Sequence, residues 1–194
     1  KTYPKIVGET GGKDFIFAHK SADCQQLAVA IVRGAFEYQG QKCSAASRAY
    51  VPKEIWNETF EMIKEMIPEI KMGSSMGLSN YMNSVIDEKS FDTIMQYVER
   101  AKASKEAEIA IGGNADKSVG YFIEPTIILT SNPNYETMCT ELFGPVITIY
   151  LYDGDKYEET LALCDSTSPY GLTGSIFAHS RYDIDTAMQA LRYA

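Results

Sequence analysis

Apolar residues recur along this chain in two alternating rhythms, short continuous runs and stripes at helical spacing. Residues 5–7 and 15–17 read as short strands separated by Gly8, Gly11 and Gly12. Ser21 is placed to cap a helix over residues 23–38, where Leu27, Ile31, Ala35 and Tyr38 fall on one face, and Gly40 suits the turn after it. Residues 48–51 predict a strand ending at Pro52. Trp56, Phe60, Ile63 and Ile67 then form a helical stripe stopped by Pro68. Residues 72–83, rich in Gly, Ser, Asn and Met, read as a loop. Phe91, Ile94, Met95 and Val98 mark a third helix, and residues 108–111 a strand closed by Gly112 and Gly113. Residues 122–129 contain Pro125, which bends or divides them. Strands follow at 146–152 and 172–177, with helices near 157–165 and 181–194. This alternation predicts one domain spanning residues 1–194, a three-layer α/β/α sandwich with a mainly parallel sheet.

Composition narrows the classes. Hydrophobic residues make up 45% and charged residues 23%, ordinary globular values. A net charge of −8 argues against a nucleic-acid partner, which needs clustered Lys and Arg. No apolar run reaches bilayer-spanning length, so no membrane partner is expected. Cys24, Cys43, Cys139 and Cys164 lie far apart without Cys-x-x-Cys or zinc spacing, which suits a reducing compartment and predicts no metal site. The sequon at Asn57 falls on a predicted helix and reads as chance. The chain opens at Lys1 within a strand-like pattern and closes within a helical one, so it reads as a piece of a longer protein, without a targeting segment of its own.

Chemistry concentrates in three places. Cys43 sits in Gly40-Gln41-Lys42-Cys43-Ser44-Ala45-Ala46-Ser47, among small residues that permit close approach. Lys42 and a short helix starting near Ser44 would both favour its thiolate. The plainer alternative is a buried structural cysteine, the reading kept for Cys24, Cys139 and Cys164. Glu9, between an expected strand and a glycine turn, would stand at the mouth of a parallel sheet and act as a general base toward water, unless it is an ordinary solvated loop carboxylate. Glu141 and Phe143 precede a strong strand; a carboxylate there can accept from ribose hydroxyls and a ring can lean on a nicotinamide, though an acidic loop with a core Phe fits equally. His19 and His179 each follow a strand-like Phe-Ala pair and offer little. Gly8 to Lys13 lacks both the dinucleotide fingerprint and the phosphate-loop spacing, so most of any dinucleotide site lies elsewhere.

Three strings, Glu9-Thr10-Gly11-Gly12-Lys13, Gly40-Gln41-Lys42-Cys43 and Glu141-Leu142-Phe143-Gly144-Pro145, occur in the order and at the separations of the aldehyde dehydrogenase superfamily, whose catalytic domain the chain resembles throughout. Longer strings, Phe36 through Arg48, Val85 through Phe91, Gly120 through Thr126 and Asp165 through Gly174, resemble its branch that oxidises L-glutamate γ-semialdehyde to L-glutamate, in the eukaryotic mitochondrial form. The resemblance implies Cys43 as nucleophile and Glu9 as the base for water. It further implies Glu141 on the nicotinamide ribose, Phe143 beside the ring, Ser44 near the substrate's amino-acid end, NAD as cofactor and a small aldehyde as substrate. It also implies a mitochondrial matrix location and a homo-oligomeric parent. The family's nucleotide-binding region, oxyanion asparagine, oligomerisation segment and carboxylate-anchoring loop have no counterpart here, so these residues alone are expected to show negligible turnover. The competing readings are a dehydrogenase for another aldehyde, an inert structural relative, and a Cys-dependent hydrolase, which needs an imidazole near Cys43.

Overall fold

In a computed structural model, residues 3–8 and 11–192 are described. Six strands form one sheet in the order β3-β6-β7-β2-β1-β8: β1 (Phe15–Ala18), β2 (Arg48–Pro52), β3 (Ala107–Ile111), β6 (Thr126–Thr130), β7 (Val146–Tyr152) and β8 (Gly174–Phe177). All neighbours run parallel except β3, an antiparallel edge strand against β6. A small antiparallel pair, β4 (Ala115–Asp116) and β5 (Phe122–Ile123), stands apart.

Period-two alternation sorts the strand residues between two cores. Ile16, Ala18, Ala49, Val51, Ile127, Ile147 and Ile149 face α1 (Cys24–Phe36) and α2 (Lys53–Met66), meeting Leu27, Ile31, Ala35, Trp56 and Ile63. Phe15, Phe17, Tyr50, Ile128, Val146 and Tyr152 face the other way. They pack with Ile94 and Val98 of α3 (Glu88–Ala103), Met138 of α4 (Glu136–Cys139), Leu161 of α5 (Tyr157–Ser166) and Ala187 of α6 (Arg181–Ala190). Three layers result, as the alternation predicts. Each fully buried Ile or Leu contributes roughly 1.5–3 kcal/mol.

Local chemistry explains where the elements depart from expectation. Residues 5–7 form no strand, and Ile6 and Val7 are 88% and 97% exposed. Asp23, not Ser21, caps α1, its Oδ1 accepting from the Gln26 N–H at 2.8 Å; the Ser21 hydroxyl instead hydrogen-bonds with the His19 ring. Helix α1 stops at Phe36 because Tyr38 and Gln39 turn left-handed, at φ 55° and 56°. Pro125 divides β5 from β6, and the short helix α4 carries no sequence periodicity that reveals it. The loop over residues 72–83 is held by a Met72–Met82 bridge.

Candidate active site

Parallel pairing decides what meets what. Phe15 is in register with Arg48, and Arg48 with Thr148, so the segments leading into β1, β2 and β7 lie side by side at the amino ends of the strands. These segments carry Gly11-Gly12, Cys43 and Glu141. The meeting place is thus the amino edge of the sheet, not the carboxyl rim expected from the general rule for α/β folds. Glu9, for which that rim was expected, lies outside the described residues, and the strand expected before it is absent.

Glycines allow the three segments to interlock. A methyl group on Gly12 would stand 2.9 Å from the Cys43 carbonyl oxygen and 3.7 Å from Glu141 Oε1. One on Gly11 would lie 3.4 Å from Glu141 Oε2 and 3.8 Å from the Tyr170 ring. Gly40, at φ +65°, approaches the Gly144 backbone so closely that a methyl would sit 2.2 Å from its carbonyl oxygen. Each motif therefore touches the other two. Between them lies a narrow cavity of about 10 Å³ lined by Gly12, Lys42, Cys43, Ser47, Glu141 and Phe143, among others. A larger, open hollow of about 590 Å³ along α1, bounded by Gln25, Val29, Arg33 and Glu37, contains no nucleophile.

Cys43 is exposed, in a tight turn closed by the Ala45 N–H donating to the Lys42 carbonyl at 3.0 Å. No helix begins at Ser44, and Lys42 Nζ pairs with Glu37 at 3.3 Å, so neither expected source of thiolate stabilisation has the anticipated form. Ser44 is exposed and does not line the cavity. The turn is held by two side-chain amides, Gln41 of the motif and Gln39, which the sequence did not single out: Gln39 Oε1 accepts from the Asn83 N–H at 2.9 Å and Gln41 Oε1 from the Ile86 N–H at 2.8 Å.

Among the described residues, the Glu141 carboxylate accepts no hydrogen bond and the Cys43 N–H donates none. Phe143 is 44% exposed at φ 54°, a strained conformation for a bulky residue.

Beneath the cavity lies a polar layer that the motif reading passed over. Lys13 is 2% exposed, and its Nζ donates to the Ser47 carbonyl at 3.4 Å. Burial, then the nearby Arg48 guanidinium, lowers its pKa to about 7, while Cys139 and Glu141 oppose the fall. Buried Arg48 donates from Nε to the Lys13 carbonyl at 2.9 Å and from Nη1 to the Tyr50 hydroxyl at 3.2 Å. Asp14 Oδ1 accepts from the Thr173 N–H at 3.0 Å, whereas Oδ2 is buried without a hydrogen-bond partner among the described residues. Burial raises the Asp14 pKa against these backbone hydrogen bonds. The only sequence signal for this layer was charged residues abutting an apolar strand.

The histidines stand elsewhere. His19 follows β1 and His179 lies shortly after β8, at the carboxyl edge of the sheet, and His19 Nδ1 lies 3.4 Å from Asp183 Oδ2. They stand at the opposite ends of the strands from Cys43, which removes the imidazole that a Cys-dependent hydrolase requires. Cys164 is buried, its thiol pushed up to about 12 by desolvation, and Cys24 is raised for the same reason. Among the described residues no group of three His, Cys, Asp or Glu side chains is arranged for a metal. No described helix is long and apolar enough to cross a membrane.

Comparison with known proteins agrees with this convergence. The chain is 54% identical over 194 residues to a mitochondrial Δ1-pyrroline-5-carboxylate dehydrogenase of Dictyostelium discoideum, covering 100% of this chain and 35% of that protein. It is 44% identical to the mitochondrial Homo sapiens protein of the same name, again across 100% of this chain and 34% of the relative. A crystal structure of the Δ-pyrroline-5-carboxylate dehydrogenase from Mycobacterium tuberculosis bound with NAD superposes with a TM-score of 0.90 at 41% identity, over 100% of this chain and 35% of that one. The chain thus spans about a third of the length of these relatives. Residues 1–194 match the aldehyde dehydrogenase family from end to end, and the chain belongs to that family.

Proposed function

We propose that residues 1–194 are the thiol-bearing catalytic domain of an NAD-dependent dehydrogenase that oxidises L-glutamate γ-semialdehyde, the open form of Δ1-pyrroline-5-carboxylate, to L-glutamate. The observation that carries this reading is the mutual contact of the Gly11-Gly12, Gly40–Cys43 and Glu141–Gly144 segments around one cavity. The substrate class is supported by the names of the relatives, and the mitochondrial forms among them support a matrix location for the parent protein.

Cys43 acts as the nucleophile. Its thiolate adds to the aldehyde carbon, giving a thiohemiacetal whose oxyanion takes the uncommitted Cys43 N–H. Glu141 and Phe143 fit the cofactor: the carboxylate has free acceptor capacity for ribose hydroxyls, and the half-exposed ring stands at the cavity edge. Bound NAD would supply the hydride acceptor, and Cys43 would then hold the oxidised carbon as a thioester. Glu9 takes a proton from water; the hydroxide attacks the thioester, and carboxylate and thiol are regenerated. Ser44, beside the nucleophile in sequence, would receive the amino-acid end of the substrate. The parent is proposed to be homo-oligomeric.

The test is Cys43→Ser in the full-length protein, assayed by NADH production with glutamate semialdehyde and with simple aliphatic aldehydes. Turnover should fall at least about a thousandfold, with the amino-acid aldehyde preferred in the unmodified protein. Substantial residual turnover would remove Cys43 from its role, and a preference for aliphatic aldehydes would overturn the substrate.

A further inference from the structure

Among the described residues the buried charged side chains are Lys13, Asp14 and Arg48, at 2%, 3% and 2% exposure, all in the layer beneath the cleft. Two cations stand against one carboxylate, so the layer holds a positive charge in excess. A buried ion is costly unless an opposite charge and hydrogen bonds compensate it. Neither cation is compensated in this way: no ion pair reaches Lys13 or Arg48 among the described residues. The Lys13 ammonium donates once, to the Ser47 carbonyl at 3.4 Å, and has donors to spare. Arg48 Nε and Nη1 are engaged, whereas Nη2 donates to nothing among the described residues. The Phe15 and Tyr50 rings, with centroids 5.6 and 5.8 Å from the guanidinium carbon, offer their faces but no net charge. Burial, and then Arg48, lower the Lys13 pKa to about 7, as two crowded cations require.

Both cations line a second narrow cavity of about 10 Å³, walled also by Cys164, Asp165, Ser168 and Tyr170. The buried Ser168 hydroxyl accepts from the Tyr170 N–H at 3.2 Å and keeps its own proton to donate. The Cys164 thiol, pushed up to about 12 by desolvation, is neutral there. Asp165 is already paired with Arg192 at 2.6 Å, and Asp14 does not line the cavity. A space of this size takes one body about as large as a water molecule, which excludes phosphate, sulfate and carboxylates. We propose that this cavity is a binding site for one monoatomic anion, chloride, held by the Lys13 ammonium, Arg48 Nη2 and the Ser168 hydroxyl. Chloride cancels the excess charge and ties together the entry to β1, the start of β2 and the loop after α5. That loop carries Tyr170, whose ring stands against Gly11 beside Glu141, so occupancy braces one wall of the cleft. The site does not depend on the dehydrogenase reading.

The full-length protein, exchanged into gluconate, tests it. Replacing gluconate by chloride up to about 100 mM, at constant ionic strength and pH, should raise Tm saturably by a few degrees. Bromide should act in the same way. Ser168→Ala should raise the chloride concentration for half the shift by roughly tenfold, and Lys13→Met should abolish the shift. A Tm indifferent to the exchange overturns the proposal. So does a shift of equal size and midpoint in both variants, which marks a general salt effect. Should Lys13→Met not fold, crystals of the unmodified protein grown in bromide replace it. An anomalous peak in contact with Lys13 Nζ and Arg48 Nη2 supports the site, and an ordered water without anomalous signal there overturns it. A peak accompanied by an indifferent Tm means an adventitious ion only, and likewise overturns the proposal.

Discussion

Gly12→Ala is the sharpest perturbation of the proposed site, because the added methyl meets backbone and not a movable side chain. At 2.9 Å from the Cys43 carbonyl oxygen, the new carbon is closer than real contacts allow, so the Gly12 strand entry and the Cys43 turn must separate by some tenths of an ångström. Backbone conformation adds nothing to the cost, since Gly12 has no positive φ. Overpacking of this kind costs about 1–3 kcal/mol, and the lower entropy of the unfolded alanine chain returns about 0.4–1 kcal/mol. A net loss of about 1–2 kcal/mol leaves a folded protein. The chemical cost is larger, because displacing a nucleophile by a fraction of an ångström disturbs its attack geometry. The expected loss is on the order of tenfold to a hundredfold in kcat/KM, mostly in kcat. Steady-state kinetics of the full-length enzyme, beside its urea unfolding curve, separates the two effects. Neighbouring glycines supply the controls. Gly11→Ala places a methyl in ordinary contact with Glu141 Oε2, at 3.4 Å, and should act chiefly on KM for NAD. Gly8→Ala meets nothing within 4 Å and should be silent. Activity of Gly12→Ala within about twofold of the unmodified enzyme would refute the claimed interlock.

Gly40→Ala combines a φ of +65° with a 2.2 Å approach to the Gly144 carbonyl and should cost at least about 3 kcal/mol, read as a large fall in Tm or in soluble yield. Lys13 sets a pH dependence of stability. Its native pKa of about 7 lies below the ordinary 10.5, so the unfolded chain binds the extra proton; stability is lowest below about pH 7 and rises toward the unfolded-state value, by a few kcal/mol in all. Lys13→Met should flatten that rise in denaturant curves taken across the window, and an unchanged slope would exclude the buried ammonium as its source. Alkylation with iodoacetamide near neutral pH, followed by peptide mass mapping, should modify exposed Cys43 well before Cys164, whose thiol is buried and raised to about 12. Equal rates at the two positions would contradict the exposure difference.

Much of this architecture is legible in the chain itself, because periodicity is a local property. Ile16 and Ala18 against Phe15 and Phe17, or Trp56 and Ile63 along α2, announce their faces without any partner in view, and the layer order follows. The three motifs were also visible, since each is a contiguous string. Short elements were not: α4 is too brief for a period, and Ile6 and Val7 mimic a strand that pairs with nothing among the described residues. Tertiary structure alone decided the rest. Parallel register brings the approaches to β1, β2 and β7 together at the amino edge of the sheet and sends His19 and His179 to the opposite edge. It also turns Lys13 inward, away from water, beside Arg48. Strand pairing, burial and electrostatic environment are created between distant residues, so no local pattern contains them.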